Sequence, residues 1–178
     1  MKPFNLIAAA AVALLLGCTG RDAEIGNGAG MAAPAKAESA TPLALSSLHM
    51  ADPAAAAQLA GGFHGIEQSA WRWTERKFSV VLNPPQRIAP AQLKFRFAIS
   101  PVVVERLKSV TLTASTDAGA IGSETYTAPG EYLFSKALPA QAPGEQLIAI
   151  HFELDRAIAA GDLETRELGV IAISVGLE

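Results

Sequence analysis

The chain has 178 residues, with 17 acidic side chains against 14 basic ones and a single cysteine. One cysteine excludes an intrachain disulfide, a thiolate zinc site and an iron–sulfur cluster. The acidic balance, with no basic run interleaved with aromatics, argues against a nucleic-acid partner. Once the amino-terminal segment is set aside, roughly 130 residues remain, a single domain of ordinary size that can bury a core without metal or cofactor.

Met1-Lys2 opens the chain with a positive charge, and Leu6 to Leu16 is an uninterrupted apolar run. Its length suits a signal-peptide core and falls short of the roughly 20 residues a spanning helix needs. Leu15-Leu16-Gly17-Cys18 follows and resembles the bacterial lipobox. That resemblance implies diacylation of the Cys18 thiol, cleavage before it, and membrane attachment by two or three acyl chains, which hold where one would not. An uncleaved signal anchor and an ordinary secreted protein with an incidental cysteine are the alternatives. Thr19 stands where an aspartate would, in proteobacteria, hold a lipoprotein at the inner membrane. The expectation is therefore an envelope protein of the outer rather than the inner membrane, with its domain in the periplasm or at the cell surface. Residues 1–17 read as the signal, 18–48 as a lipid-anchored flexible tether and 49–178 as the folded domain. The tether is Gly, Ala, Ser, Pro and scattered charge, which cannot offset its ordering entropy. As a coil it reaches on the order of 30 Å.

Asp52-Pro53 followed by alanines and closed by Gly61-Gly62 predicts one short helix. Beyond it the period becomes two. Leu93, Phe95, Phe97 and Ile99 share a face, as do Val110, Leu112 and Ala114, then Ile148, Ile150, Phe152 and Leu154, and finally Ile171, Ile173, Val175 and Leu177. These four rows predict half-buried antiparallel strands. Weaker strand signals cover 62–67, 70–73, 77–82, 123–127 and 131–137, while Pro101 to Lys108 fits neither period. Turn signals lie at Asn83-Pro84-Pro85, Asp117-Ala118-Gly119, Ala128-Pro129-Gly130 and Ala142-Pro143-Gly144. The pattern predicts an all-β, antiparallel two-sheet β-sandwich, jelly-roll-like.

Gly62-Phe63-His64-Gly65-Ile66-Glu67, Trp71-Arg72-Trp73-Thr74 and Arg166-Glu167-Leu168-Gly169 together resemble a small β-sandwich domain appended to some glycosyltransferases. The span from Asp52 to Leu177 is also similar to exported acidobacterial lipoproteins. The resemblance implies a fold and no activity. In it Glu164 stands where the appended domains more often carry aspartate.

Glu67 and Arg166 lie at opposite ends of the domain sequence, where first and last strands can share a sheet, so a carboxylate–guanidinium staple is expected between them. Trp71 and Trp73 share a strand face and Arg72 takes the other. With His64 they form a candidate carbohydrate site, flat rings against a sugar face and charged groups for its hydroxyls; the bland alternative is that the tryptophans fill the core with Phe63 and Phe78. Glu67 with Glu164 or Asp162 is a candidate glycosidase pair of low weight. His49, His64 and His151 are too scattered for a metal. Thr111, Thr113, Ser115 and Thr116 read as a polar face. The resulting expectation is a non-catalytic envelope lipoprotein that binds carbohydrate or an envelope partner, against a structural or assembly lipoprotein with no small ligand and, less favoured, a glycan hydrolase.

Overall fold

Alternating apolar side chains leave one face of every strand in need of cover, and the chain supplies it by curling one antiparallel sheet around a core of phenylalanines and aliphatics. The computed structural model describes residues 44–84, 91–139 and 147–178, all within the compact unit Thr41–Glu178. The signal sequence, Cys18, most of the expected tether and the Ala142-Pro143-Gly144 turn lie outside the described residues. The strands are β1 (Ser47–His49), β2 (Leu59–Glu67), β3 (Trp71–Leu82), β4 (Gln92–Ile99), β5 (Val110–Thr116), β6 (Gly119–Tyr126), β7 (Gly130–Ala137), β8 (Ile148–Leu154) and β9 (Ile171–Leu177). Their hydrogen-bonded order is β6-β5-β8-β3-β9-β4-β7, with β1 added to β9 and β2 to β3. The result is a nearly closed, barrel-like antiparallel sandwich.

β3 joins the two halves. Its first residues pair with β9 (Arg72↔Ala172, Trp73↔Ile171) and its later ones with β8 (Lys77↔Glu153 to Leu82↔Ile148). The sequence pattern predicts two strands here, 70–73 and 77–82. One continuous strand forms, because the exposed Glu75-Arg76-Lys77 that interrupt the apolar pattern mark only the change of partner. Buried residues Phe78, Val80, Phe95, Phe97, Leu112, Ile150 and Phe152 form the core, each contributing roughly 1.5–3 kcal/mol on burial. Its rings touch in succession, Phe63–Phe78 at 5.3 Å, Phe78–Phe152 at 4.9 Å, Phe95–Phe152 at 4.8 Å and Phe95–Phe97 at 4.9 Å between centroids.

Three of the four expected inward rows are buried as read. The fourth changes phase. A register shift places Arg96 opposite Ser174 but Phe97 opposite Ala172, so Ile173 is the extra residue of a bulge. Ala172, Val175 and Leu177 are buried, whereas Ile171 and Ile173 are only half-buried. Thr116 also departs from the expected polar face: it is buried with its hydroxyl on Gly119 O at 3.3 Å, because it continues the inward parity of Val110, Leu112 and Ala114. The ambiguous stretch after β4 is a helix, α1 (Pro101–Leu107), started by proline at its first turn and stopped at Lys108, which adopts φ 69°. Only Val103 of it is fully buried, which explains why no period was visible.

The short helix begins as expected at Asp52, whose Oδ1 accepts from Ala54 N at 2.8 Å, but it is a 3₁₀ segment, Pro53–Gln58. The expected glycine stop belongs to β2 instead. Gly62 adopts φ 76° where β2 passes over β3, and a Cβ there would lie 2.6 Å from Phe78 Cα. The fold also starts ahead of the expected boundary at 48. Leu45 is held by Gln58 and Asn83, and β1 pairs Ser47↔Gly176 through His49↔Ser174 on β9. A three-residue strand with one buried side chain, Leu48, carries too little periodicity to be read.

β6 and β7 are consecutive, yet each pairs elsewhere, leaving a seam that side chains close. Lys136 points inward, its stem 3.6 Å from a Cβ built on Gly122, its ammonium 3.4 Å from Glu124 and 5.5 Å from the Phe134 ring centre. An inward charge on an edge strand discourages pairing with foreign strands. Beneath the seam Tyr126 packs 4.5 Å from Tyr132, with its hydroxyl buried and unpartnered.

Gly62→Ala should lower the free energy of unfolding by about 1–3 kcal/mol through overpacking and strain, whereas Gly65→Ala, with open space at its Cβ, should stay within about 0.5 kcal/mol; urea denaturation of both variants checks the contrast. Burial, aided by Glu124 and Tyr132, pushes the Tyr126 phenol well above its ordinary value. The folded state therefore retains a proton that the unfolded state loses, so stability should fall as pH rises past the ordinary tyrosine value of about 10. In Tyr126→Phe that alkaline loss should shrink; denaturant midpoints across pH read it.

Candidate functional site

The residues singled out from sequence gather around the β2–β3 hairpin. Ala70 N donates to Glu67 O at 3.0 Å across Gln68 and Ser69, which adopt φ 50° and 54°, and Ala70 completes a three-residue connection between the strands. It sets Glu67 opposite Trp71 and Ile66 opposite Arg72. Strand alternation then divides the Trp-Arg-Trp segment. Trp71 and Trp73 are half-buried, Trp73 against the core. Arg72 turns inward to 8% exposure, where Nε donates to Met50 O at 3.2 Å and Nη1 to His64 O at 3.1 Å.

The segment before β9 folds back onto this hairpin. Thr74, fully buried, donates its N–H to Val170 O at 2.9 Å, accepts Gly169 N–H on its carbonyl at 2.7 Å, and accepts Val170 N–H on its hydroxyl at 3.1 Å. Gly169 is required by closeness, since a Cβ would lie 2.6 Å from Thr74 Oγ1 and 2.8 Å from Glu75 O. His64 Nε2 sits 2.7 Å from Glu167 O, so that nitrogen carries the hydrogen, and the Glu167 carboxylate accepts from Arg76 N–H. Arg166 Nη1 donates to Glu67 Oε1 at 2.7 Å and its Nε to Glu164 Oε1 at 2.7 Å. The hydrogen bond to Glu67 holds the Arg166 pKa above its ordinary value against the opposing effect of desolvation, and the charges of Glu164 and Glu67 add to the rise.

His64, Glu67, Arg72 and Arg166 thus form one connected lock between the hairpin and the segment before β9. The guanidinium of Arg72 serves two backbone carbonyls. Glu67 and Glu164 share one guanidinium rather than facing each other across an open cleft, while Asp162 stands exposed nearby in the chain. His49 and His151 are exposed, His151 lying 3.2 Å from Asp117. Among the described residues no cluster of three His, Cys, Asp or Glu could hold a metal ion, and no helix is long and apolar enough to cross a membrane.

Two open clefts lie on outer sheet faces, one of them over the expected polar face of β5. One, about 450 Å³, follows β9 between β1 and β4 and is lined by Ser47, Lys94, Arg96, Glu131, Ser174 and Gly176 among others. The other, about 440 Å³, lies over β3, β8 and β5 beside Gly61-Gly62 and is lined by Lys77, Ser79, Thr113, Ser115, His151 and Glu153. Their only sequence signal is the polar half of each alternation, which every half-exposed sheet carries. No protein-family model matches the chain, and comparison with curated proteins finds no match.

The Glu67–Arg166 pair is about a third exposed on both sides, so its coupling is screened. A double-mutant cycle with Glu67→Gln and Arg166→Met should return about 0.5–1 kcal/mol of coupling in thermal or urea unfolding; a value indistinguishable from zero would remove the staple.

Proposed function

We propose that the chain is a non-catalytic, lipid-anchored protein of the bacterial cell envelope whose β-domain binds carbohydrate. The carrying observation is how its polar groups are divided. The charged motif residues are consumed in holding the hairpin to the segment before β9, while donors and acceptors of both signs line two open clefts on outer sheet faces, the mixture that sugar hydroxyls need. The lipobox at Cys18 and the resemblance to domains appended to glycosyltransferases support the same reading, as does a jelly-roll-like, two-sheet view of the sandwich with β3 common to both sheets. In this reading Thr19, in place of an aspartate after Cys18, favours the outer membrane over the inner, with the domain in the periplasm or at the cell surface.

A second reading, a structural or assembly lipoprotein without a small ligand, is favoured by one specific observation. His64, Glu67, Arg72 and Arg166 are all committed to bonds within the fold, so the motif that carries the resemblance has a purely architectural use. The two readings divide on ligand binding alone.

In a bacterial host, full-length protein should fractionate with membranes and label with radioactive palmitate, and Cys18→Ala should lose both. Affinity electrophoresis of the purified protein in gels containing envelope and plant polysaccharides should show retardation by at least one polymer. Migration unchanged in every gel would leave the structural reading in possession.

A further inference from the structure

The cleft along β9 is built in a way that specifies a ligand class. Its floor is low because the outward positions of β9 carry Ser174 and Gly176. A Cβ on Gly176 would lie 2.9 Å from Ser47 Oγ and 3.2 Å from Ser46 O, so a side chain there would press on β1 at Ser47. On one side of this sunken strand stands β1 with Ser47; on the other stands β4, where Lys94 and Arg96 face Gly176 and Ser174 in register. Beyond β4, Leu133 sits opposite Arg96 and is 55% exposed, one of the few large apolar side chains left so open.

The charges in this trough come in matched pairs. Arg96 donates to Glu131 at 2.7 Å and Lys94 to Glu178. An anionic ligand would meet the like charges of Glu131 and Glu178, and a cationic one those of Arg96 and Lys94. A hydroxyl avoids both, because it donates to a carboxylate and accepts from a cation at once, and Arg96 uses one of its five N–H donors on Glu131. Leu133 offers an apolar contact of the kind that covers the C–H face of a sugar ring, and the volume lies within the roughly 300–1,000 Å³ of small-ligand sites.

We propose that the trough formed by Ser47, Ser174 and Gly176, walled by the Arg96–Glu131 and Lys94–Glu178 pairs and edged by Leu133, binds a short neutral oligosaccharide. This rests on the carbohydrate-binding reading and assigns it to a cleft whose lining includes none of Trp71, Arg72, Trp73 or His64.

Amide chemical-shift mapping on the full-length protein in detergent tests it, with cellohexaose, chitohexaose and maltohexaose as neutral probes and an oligogalacturonate as the acidic one. At least one neutral probe should shift the amides of residues 94–96 and 174–176, with an affinity that changes little between low and high salt. Arg96→Ala should weaken that binding about tenfold, the usual cost of a charge-assisted hydrogen bond, and Ser174→Phe, which raises the floor, should abolish it, while Trp71→Ala should leave it intact. Should Ser174→Phe fail to fold, Leu133→Ser takes its place with a partial loss expected. Neutral sugar shifts confined to the Trp71 or His151 faces would overturn this assignment and leave carbohydrate binding standing. Preference for the oligogalacturonate would overturn the neutral class, and silence from every probe would overturn both.

Discussion

The fold depends on one threonine being in two places at once. Thr74 sits where β3 exchanges β9 for β8 as its partner, and its N–H, carbonyl and hydroxyl all bond to Gly169 and Val170. Those bonds fix where the chain, having left β8 at Leu154, re-enters the sheet as β9. Together with the pairs Arg72↔Ala172 and Trp73↔Ile171 they set the register between the two halves that share β3. The polar atoms also have no other recourse, since Thr74 is fully buried and unmade hydrogen bonds there would each cost about 1–3 kcal/mol. Around this point His64, Glu67, Arg76 and Arg166 tie the returning segment to the hairpin, each bond joining residues distant in sequence.

Much of this was readable beforehand. Long alternating runs such as Leu93 to Ile99 and Ile148 to Leu154 are buried on the expected face, because a strand's side-chain period is fixed by backbone geometry. Glu67 and Arg166 meet across the domain, since β2 pairs with β3 and the segment before β9 folds back onto that hairpin. What escaped notice depends on tertiary contact. The bulge at Ile173 inverts a regular pattern without leaving a mark in the sequence. Gly61-Gly62 resemble a helix stop until β3 is known to run beneath them. β1 has one buried side chain and no period to detect.

The motif and the outer faces answer to different constraints. Gly62, Gly169 and Thr74 are dictated by closeness of backbones, so their identities follow from architecture whatever the domain binds. Lys94, Arg96 and Ser174 are under no such packing demand, and Gly176 links the two sets: it is required by β1 and, by being bare, lowers the face above it. A binding surface can therefore arise as the by-product of how a short first strand is seated.

That seating has a mechanical side. Force applied through the amino-terminal segment enters the folded unit at Leu45, which Gln58 and Asn83 grip, and then at β1. β1 passes it to β9, a strand flanked by β3 and β4. A domain held by its amino-terminal side is thus loaded at its interior rather than at an edge, and the hydrogen bonds that resist are those of the strand forming the floor of the trough. Tension and occupancy of that groove would act on the same residues, Ser47 and Gly176.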